Sequence, residues 1–327
     1  MPAISSVSAI VGVAKQGSRG TIAANPTFAH GLKGGSPIKV DPSQSVLEVT
    51  TGKRAGSNVV REEVKNSSDI QAPGYLKSLG LYLLGALGSV VTTGAGPYVH
   101  TFATGDLPYL TIFEKGIGST IQAIRDSKIE EVSIKWDGAK PVELSVKAQG
   151  TVFSYPSTFT PTVDETGSES FLVPVGGTFQ LDVLGGSVTS ARVQSGEITI
   201  KNNVATIADS TTIEAGDVAD GNQEISLKLT IVPDDLVLFR STVTGATGGT
   251  TVASDVPVGS VNLLFTENGP GTGQLAVTGS KVAFLTSFPD VDPKGGPVQL
   301  ELAGMAVVAS GATSPLIFAL TNAQTAY

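Results

Sequence analysis

From Ile129 onward the chain repeatedly alternates apolar and polar residues. Val132, Ile134 and Trp136 fall on one side of an extended segment, and Glu131, Ser133 and Lys135 on the other. Asp137-Gly138 supplies a turn, after which Val142, Leu144, Val146 and Ala148 alternate with Glu143, Ser145 and Lys147. The pattern predicts a β-hairpin. Further strands are predicted at Ile198–Lys201, Glu224–Val232, Val261–Thr266, Lys281–Thr286, Val298–Ala303 and Leu316–Leu320, with Gly, Pro, Asn and Asp between them. Many short strands of this kind predict a mainly β, antiparallel sandwich or barrel-like fold.

One segment has a different period. Leu76, Leu79, Leu83 and Leu87 recur at helical spacing, with Pro73 near the start and Gly88 just past the end. The expectation is one helix over 73–88, packed on the sheets and weakened at Gly80 and Gly85 by about 1 kcal/mol each relative to Ala. Residues 30–70 show neither period. They are polar, contain Pro37, Pro42 and several Gly, and carry Arg54, Arg61, Glu62, Glu63, Lys65 and Asp69. A structureless stretch that long is uncommon inside a compact domain, so it is read as a loop and a candidate contact arm. There is also an internal echo. Val132-Ser-Ile-Lys-Trp followed by Glu143-Leu-Ser-Val-Lys resembles Ile198-Thr-Ile-Lys-Asn followed by Glu224-Ile-Ser-Leu-Lys. Two such hairpins would suit the two leaves of a sandwich. The second encloses a longer acidic loop with Asp209, Glu214, Asp217 and Asp220.

Composition bears on how this fold is used. Charged residues are 15% of the 327, against about 25% in average soluble domains. So few charges imply loops rich in Gly, Ser and Thr, surface that becomes buried between subunits, or both. The net charge of −8 is split unevenly. Residues 1–150 hold 15 basic and 12 acidic residues, and 151–327 hold 6 and 17. From 151 to 227 the basic residues are Arg192 and Lys201 alone. An acidic half argues against a protein that grips nucleic acid, which needs clustered Lys and Arg.

Candidate chemistry is sparse. The absence of cysteine removes disulfides, thiolate catalysis and most structural zinc sites. The two histidines, His30 and His100, have no local catalytic partners. No Gly-x-Ser-x-Gly, Walker-type or His-Glu-x-x-His pattern is present. Gly271-x-Gly273-x-x-Ala276 lacks the helix a dinucleotide site requires. Asp290-Val-Asp292-Pro-Lys294-Gly295 with Glu301 mimics a calcium loop, but Lys294 occupies a ligand place and the flanks read as strands. The doublets Glu62-Glu63, Glu130-Glu131 and Asp234-Asp235 are ordinary on surfaces, since strand neighbours face opposite ways. No enzyme, metal or cofactor is expected. No basic residue precedes the short apolar stretch near the N-terminus, so no signal peptide is expected. Leu79–Val91 is too short for a membrane span, so the expectation is a soluble protein made in a cytoplasm.

Several stretches resemble a family. Gly80-Leu-Tyr-Leu-Leu-Gly85-Ala-Leu-Gly-Ser-Val, Pro97-Tyr98-Val-His100-Thr-Phe102 and Leu107-Pro108-Tyr109-Leu110-Thr111-Ile112 are similar to the tail tube (major tail) proteins of long-tailed bacteriophages. So are the 129–153 hairpin, Glu197-Ile-Thr-Ile-Lys-Asn202-Asn203, Pro297-Val-Gln-Leu-Glu-Leu, and Pro315-Leu-Ile-Phe-Ala-Leu-Thr-Asn322 with the terminal Tyr327. The resemblance runs from about residue 75 to the end and fits the first 30 residues loosely. It implies one tail tube domain over 1–327, with an N-terminal segment (1–29), the 30–70 arm and most of the sandwich in 129–327. It further implies six subunits to a ring and rings stacked into a hollow tube in the virion tail. DNA would pass through without specific binding, and tape-measure, tail-tip and terminator proteins would be partners. On this reading both termini also act as arms, and the lumen is negative. The other readings are a β-sandwich adhesin or decoration protein, and a β-sandwich glycosidase needing two close carboxylates. A single Trp and few aromatics argue against sugar stacking.

Overall fold

The alternating segments become strands, and most of the remaining chain joins them. The computed structural model describes residues 10–23, 28–31, 33–47, 58–116, 120–157, 170–182, 189–190, 192–233, 236–246, 248–286 and 298–327. The first half forms β1 (Ile10–Lys15), β2 (Phe28–Gly31), β3 (Ile38–Leu47), β4 (Asn58–Pro73), α1 (Leu76–Leu87), β5 (Gly88–Thr93), β6 (Tyr98–Thr104), β7 (Leu110–Lys115), β8 (Ile121–Asp137) and β9 (Glu143–Gly150). Next come β10 (Val152–Ser154), β11 (Leu172–Val173), β12 (Phe179–Asp182), β13 (Thr189–Ser190), β14 (Arg192–Lys201), β15 (Ala205–Ala208), β16 (Ala215–Ala219) and β17 (Glu224–Val232). The chain ends with α2 (Val237–Thr244), β18 (Val258–Glu267), β19 (Gln274–Thr286), β20 (Leu300–Ala306) and β21 (Ile317–Asn322).

Two antiparallel sheets face each other. The first runs β3-β4-β9-β8-β14-β17-β20-β19. The second runs β5-β6-β21-β19-β18, with β12 beyond β18. Strand β19 serves both, pairing β21 through Gln274–Thr278 and β20 through Val282–Thr286. Val132, Ile134, Ile198, Leu227 and Leu229 from the first sheet meet Leu263, Phe265, Leu275, Val277 and Phe318 from the second in one core. This is sheet-on-sheet packing with alternate residues turned inward. A smaller sheet, β2-β1-β7-β8-β10, grows from the first half of β8. Asp126 (φ 51°) sits where β8 passes from one sheet to the other, a conformation that Asp tolerates better than most residues.

Helix α1 lies between the small sheet and the sandwich, touching β1, β2, β5, β6, β8 and β21. Leu76, Leu79, Leu83 and Leu87 are buried, and so are Leu81, Tyr82 and Leu84, so the helix is enclosed rather than laid on a sheet. Its two interior glycines are points of close approach. A Cβ on Gly80 would overlap the Tyr327 ring, and one on Gly85 would overlap Ile129 and Leu110. Gly88 ends the helix at φ 93°, its N–H bonding Leu84 O.

Three features of the architecture differ from the sequence reading. Residues 30–70 are not a structureless loop, since β3 and most of β4 form a long antiparallel ribbon there, preceded by the end of β2. Residues 58–65 of β4 lie beyond the stretch paired with β9; among the described residues they pair with β3, and Val64 alone also bridges to Glu214, its N–H bonding Ile213 O at 2.7 Å. Val59–Glu62 are all exposed, so this part shows no apolar alternation, and Pro42 is accommodated at a register shift on the edge strand. Second, the described residues contain two helices rather than one flanking helix. The segment VLFRSTVT of α2 is rich in β-branched residues and gives no helical period, yet Gly245 in the left-handed region closes it. Third, the echoed hairpins are not opposite leaves. They lie side by side in the first sheet as β9-β8-β14-β17. The mimic of a calcium loop lies outside the described residues apart from Glu301, which is on β20.

Candidate functional site

The outward face of the first sheet carries an ordered charge pattern. Register places Lys147, Glu131, Lys201 and Glu224 in one row across β9, β8, β14 and β17. Ser145, Ser133, Thr199 and Ser226 form the next row, and Glu143, Lys135, Glu197 and Lys228 the third. The pattern has a pseudo-twofold centre at the Ser133–Thr199 pair, which explains the sequence echo. Each Lys stands beside a Glu on a neighbouring strand, and the four of each cancel. Glu131 bridges Lys147 at 2.9 Å and Lys201 at 3.6 Å, and Lys135 meets Glu197 at 3.2 Å. Ser133 Oγ donates to Glu197 at 2.6 Å.

Burial raises the pKa of Glu131, but the hydrogen bond and charge of Lys147, and then Lys201, outweigh it and hold the carboxyl below its ordinary value. The same bond raises Lys147. Glu197 is likewise lowered, with Ser133, Lys135 and Lys228 overcoming burial. Exposed pairs of this kind contribute about 0.2–1 kcal/mol each. Their larger effect is on surface potential, since no uncompensated lysine remains in these rows. Beside them lies a trough of about 690 Å³, rimmed by Lys135, Asp137, Lys140, Glu143, Glu197, Lys228 and Glu301.

The charged residues singled out between 54 and 69 divide into two groups. Arg61, Glu62, Glu63 and Lys65 sit on β4 beyond the stretch paired with β9, near the exposed Val46, Val59 and Val60. Asp69 instead lies in the sheet opposite Lys147 and accepts from Lys39 at 3.4 Å. Arg54 lies outside the described residues.

The four acidic residues of the 209–220 segment form no common cluster. Asp209 caps its own turn, accepting from the N–H and Oγ1 of Thr211. Glu214 accepts from Asn66 Nδ2 and the Phe153 N–H. Asp217 pairs with Arg19 at 3.3 Å and accepts from Tyr109 Oη. Asp220 pairs with Lys128 at 2.6 Å. The last three fasten the β15–β16 hairpin to the body of the protein.

The C-terminal end folds onto its own subunit, which the reading of both termini as arms did not anticipate. Tyr327 Oη donates to Lys77 O at 2.9 Å and accepts from Asn322 Nδ2 at 2.6 Å. Its ring meets His100 at 4.7 Å, Phe102 at 6.0 Å and Phe28 at 6.2 Å between centroids. The sequence hint was Gly80, a residue that nothing in an isolated helix requires. His100 is fully buried. Its Nε2–H donates to Asn322 Oδ1 at 3.1 Å, leaving Nδ1 to accept from Thr92 Oγ1 at 2.8 Å, a pattern complete for the neutral ring.

Burial pushes the His100 pKa below 6.5, against the opposing effect of its bonds to Asn322 and Gln324. The unfolded chain therefore binds the proton more readily, and stability falls as pH drops below about 6.5. Urea melts at pH 7.5 and 5.5 should show a lower midpoint at 5.5. His100→Gln should flatten that difference, and an unchanged pH dependence in the variant would refute the assignment.

Comparison with known proteins is consistent with this architecture. No curated protein matches the chain. The family model of the phage tail tube protein matches residues 6–314, nearly the whole length. The chain belongs to the phage tail tube protein family, a family of structural proteins.

Proposed function

We propose that the chain assembles into rings of six, stacked into the tail tube, whose hollow centre conducts DNA into the host bacterium. A tape-measure protein occupies the hollow beforehand, and tail-tip and terminator proteins close its ends. The observation that supports the conduit reading is the cancelled charge on the outward face of the first sheet. A wall bearing free lysines would bind the phosphate backbone and release its counterions, holding DNA in place. Here four lysines and four glutamates sit as neighbours, so a polyanion meets no net positive rows. The expectation implied by the family resemblance was a negative lumen. A wall neutral by pairing is the better fit to this face.

The β3–β4 ribbon supports assembly in a second way. A two-stranded ribbon is marginal in water on its own, and this one exposes Val46, Val59 and Val60. Docked against another subunit it would gain the third layer it lacks. Arg61, Glu62, Glu63 and Lys65 would then lie at a contact between subunits or rings. Concentrated protein should sediment as rings or tubes. A species that stays strictly monomeric as concentration rises would contradict the reading.

A further inference from the structure

The second sheet has an outward face of the opposite character. Register sets Val91, Thr101, Ala319, Ala276 and Leu264 in one row across β5, β6, β21, β19 and β18. Thr93, Val99, Thr321, Gln274 and Thr266 form the row beside it. On the other side, Ser89 stands opposite Ala103, and Ile317, Thr278 and Asn262 follow one another. None of these fifteen residues is charged, whereas eight of the twelve in the three rows of the first sheet are. All except Thr321 are at least partly exposed. In a chain with 50 charged residues, a five-stranded face free of them is one that can be covered without desolvating an ion.

The free edge of this sheet points the same way. Strand β5 (Gly-Ser-Val-Val-Thr-Thr) pairs with β6 in unbroken register and has no other strand partner among the described residues. It has no Lys, no Pro and no bulge, and Val91 is 63% exposed. The edge strand of the first sheet shows what protection looks like. There β3 carries Lys39, Asp41, Pro42 and a register shift. Soluble monomers guard their edges with such devices, and an unguarded edge is a template for another chain.

We infer that the uncharged face of the second sheet, together with the β5 edge, is the joint on which a second copy of this chain seats. The occupant is a second copy because the chain belongs to the phage tail tube protein family, and a tube of the kind proposed above is built from repeated copies of one subunit. The contact is heterologous, so the neighbour presents a different surface and the assembly can close into a ring. This rests on the ring reading above, and the test separates the two.

Val91→Lys places a charge on the free edge, and Thr278→Lys places one on an exposed position of the face. Each should keep the wild-type urea midpoint and weaken association at least about a hundredfold, as expected for burying an unpaired charge. Wild-type tubes alongside both variants assembling normally would overturn the joint and leave the ring reading intact. A wild-type protein that never assembles would overturn both. Hydrogen exchange gives a readout that needs no variant. The amides of β5 should exchange at least about tenfold more slowly in assembled than in dissociated wild-type protein, and equal rates would overturn the joint.

Discussion

Replacing Trp136 by alanine should lower the unfolding free energy by about 3–5 kcal/mol, in the range of buried aromatic truncations. The side chain is 3% exposed and reaches from the first sheet to the second. It stacks on Phe179 (5.9 Å, 22°) and meets the edge of Phe265 (5.0 Å, 72°), while Phe179 and Phe265 contact each other at 5.5 Å. The indole fits because Gly196, opposite it on β14, has no side chain. A Cβ there would overlap the ring and approach Leu229. The indole Nε1 is buried without a hydrogen-bond partner among the described residues. Trp136→Phe therefore forfeits volume but no bond and should cost less, about 1–2 kcal/mol. Since this is the sole tryptophan, unfolding of the variants is best followed by far-ultraviolet circular dichroism. Equal losses for Ala and Phe would show that the ring contacts are not what stabilises the junction.

The second large effect concerns the C-terminus. Tyr327→Ala should cost about 2–4 kcal/mol, because it empties the space over α1 and removes the bonds to Lys77 O and Asn322. Gly80 makes the prediction sharper. In an isolated helix Gly→Ala stabilises by about 1 kcal/mol, whereas here the new methyl would overlap the Tyr327 ring. Gly80→Ala should destabilise the wild type and become neutral or stabilising in the Tyr327→Ala background. A double-mutant cycle in denaturant melts measures this coupling. Stabilisation by Gly80→Ala in the wild type would show that the C-terminal tyrosine does not occupy this position.

Legibility in the sequence followed burial. The hairpins β8–β9 and β14–β17 were readable because each strand has one face in the core and one in solvent, and the alternation is strict. The β3–β4 ribbon was not, since its described outer residues, among them Val46, Val59 and Val60, are exposed and show no buried face to alternate with. Strands β5 and β6 escaped for a related reason. Their outward residues are uncharged, so inside and outside look alike. The lysines and glutamates of the first sheet were visible as polar positions, but their pairing depends on β8 meeting β14 across more than 60 residues of chain. The carboxylates of the 209–220 segment looked like a free acidic loop until Arg19, Asn66 and Lys128 were brought to them by the fold.

The direct test of the tube account is an electron cryomicroscopy reconstruction of the assembled protein. It should show stacked rings with a central hole, with Lys135, Lys147, Lys201 and Lys228 on the wall of the hole and β5 against a neighbouring subunit. A closed particle without a hole, or a hollow tube with those lysines on its outer surface, would contradict it.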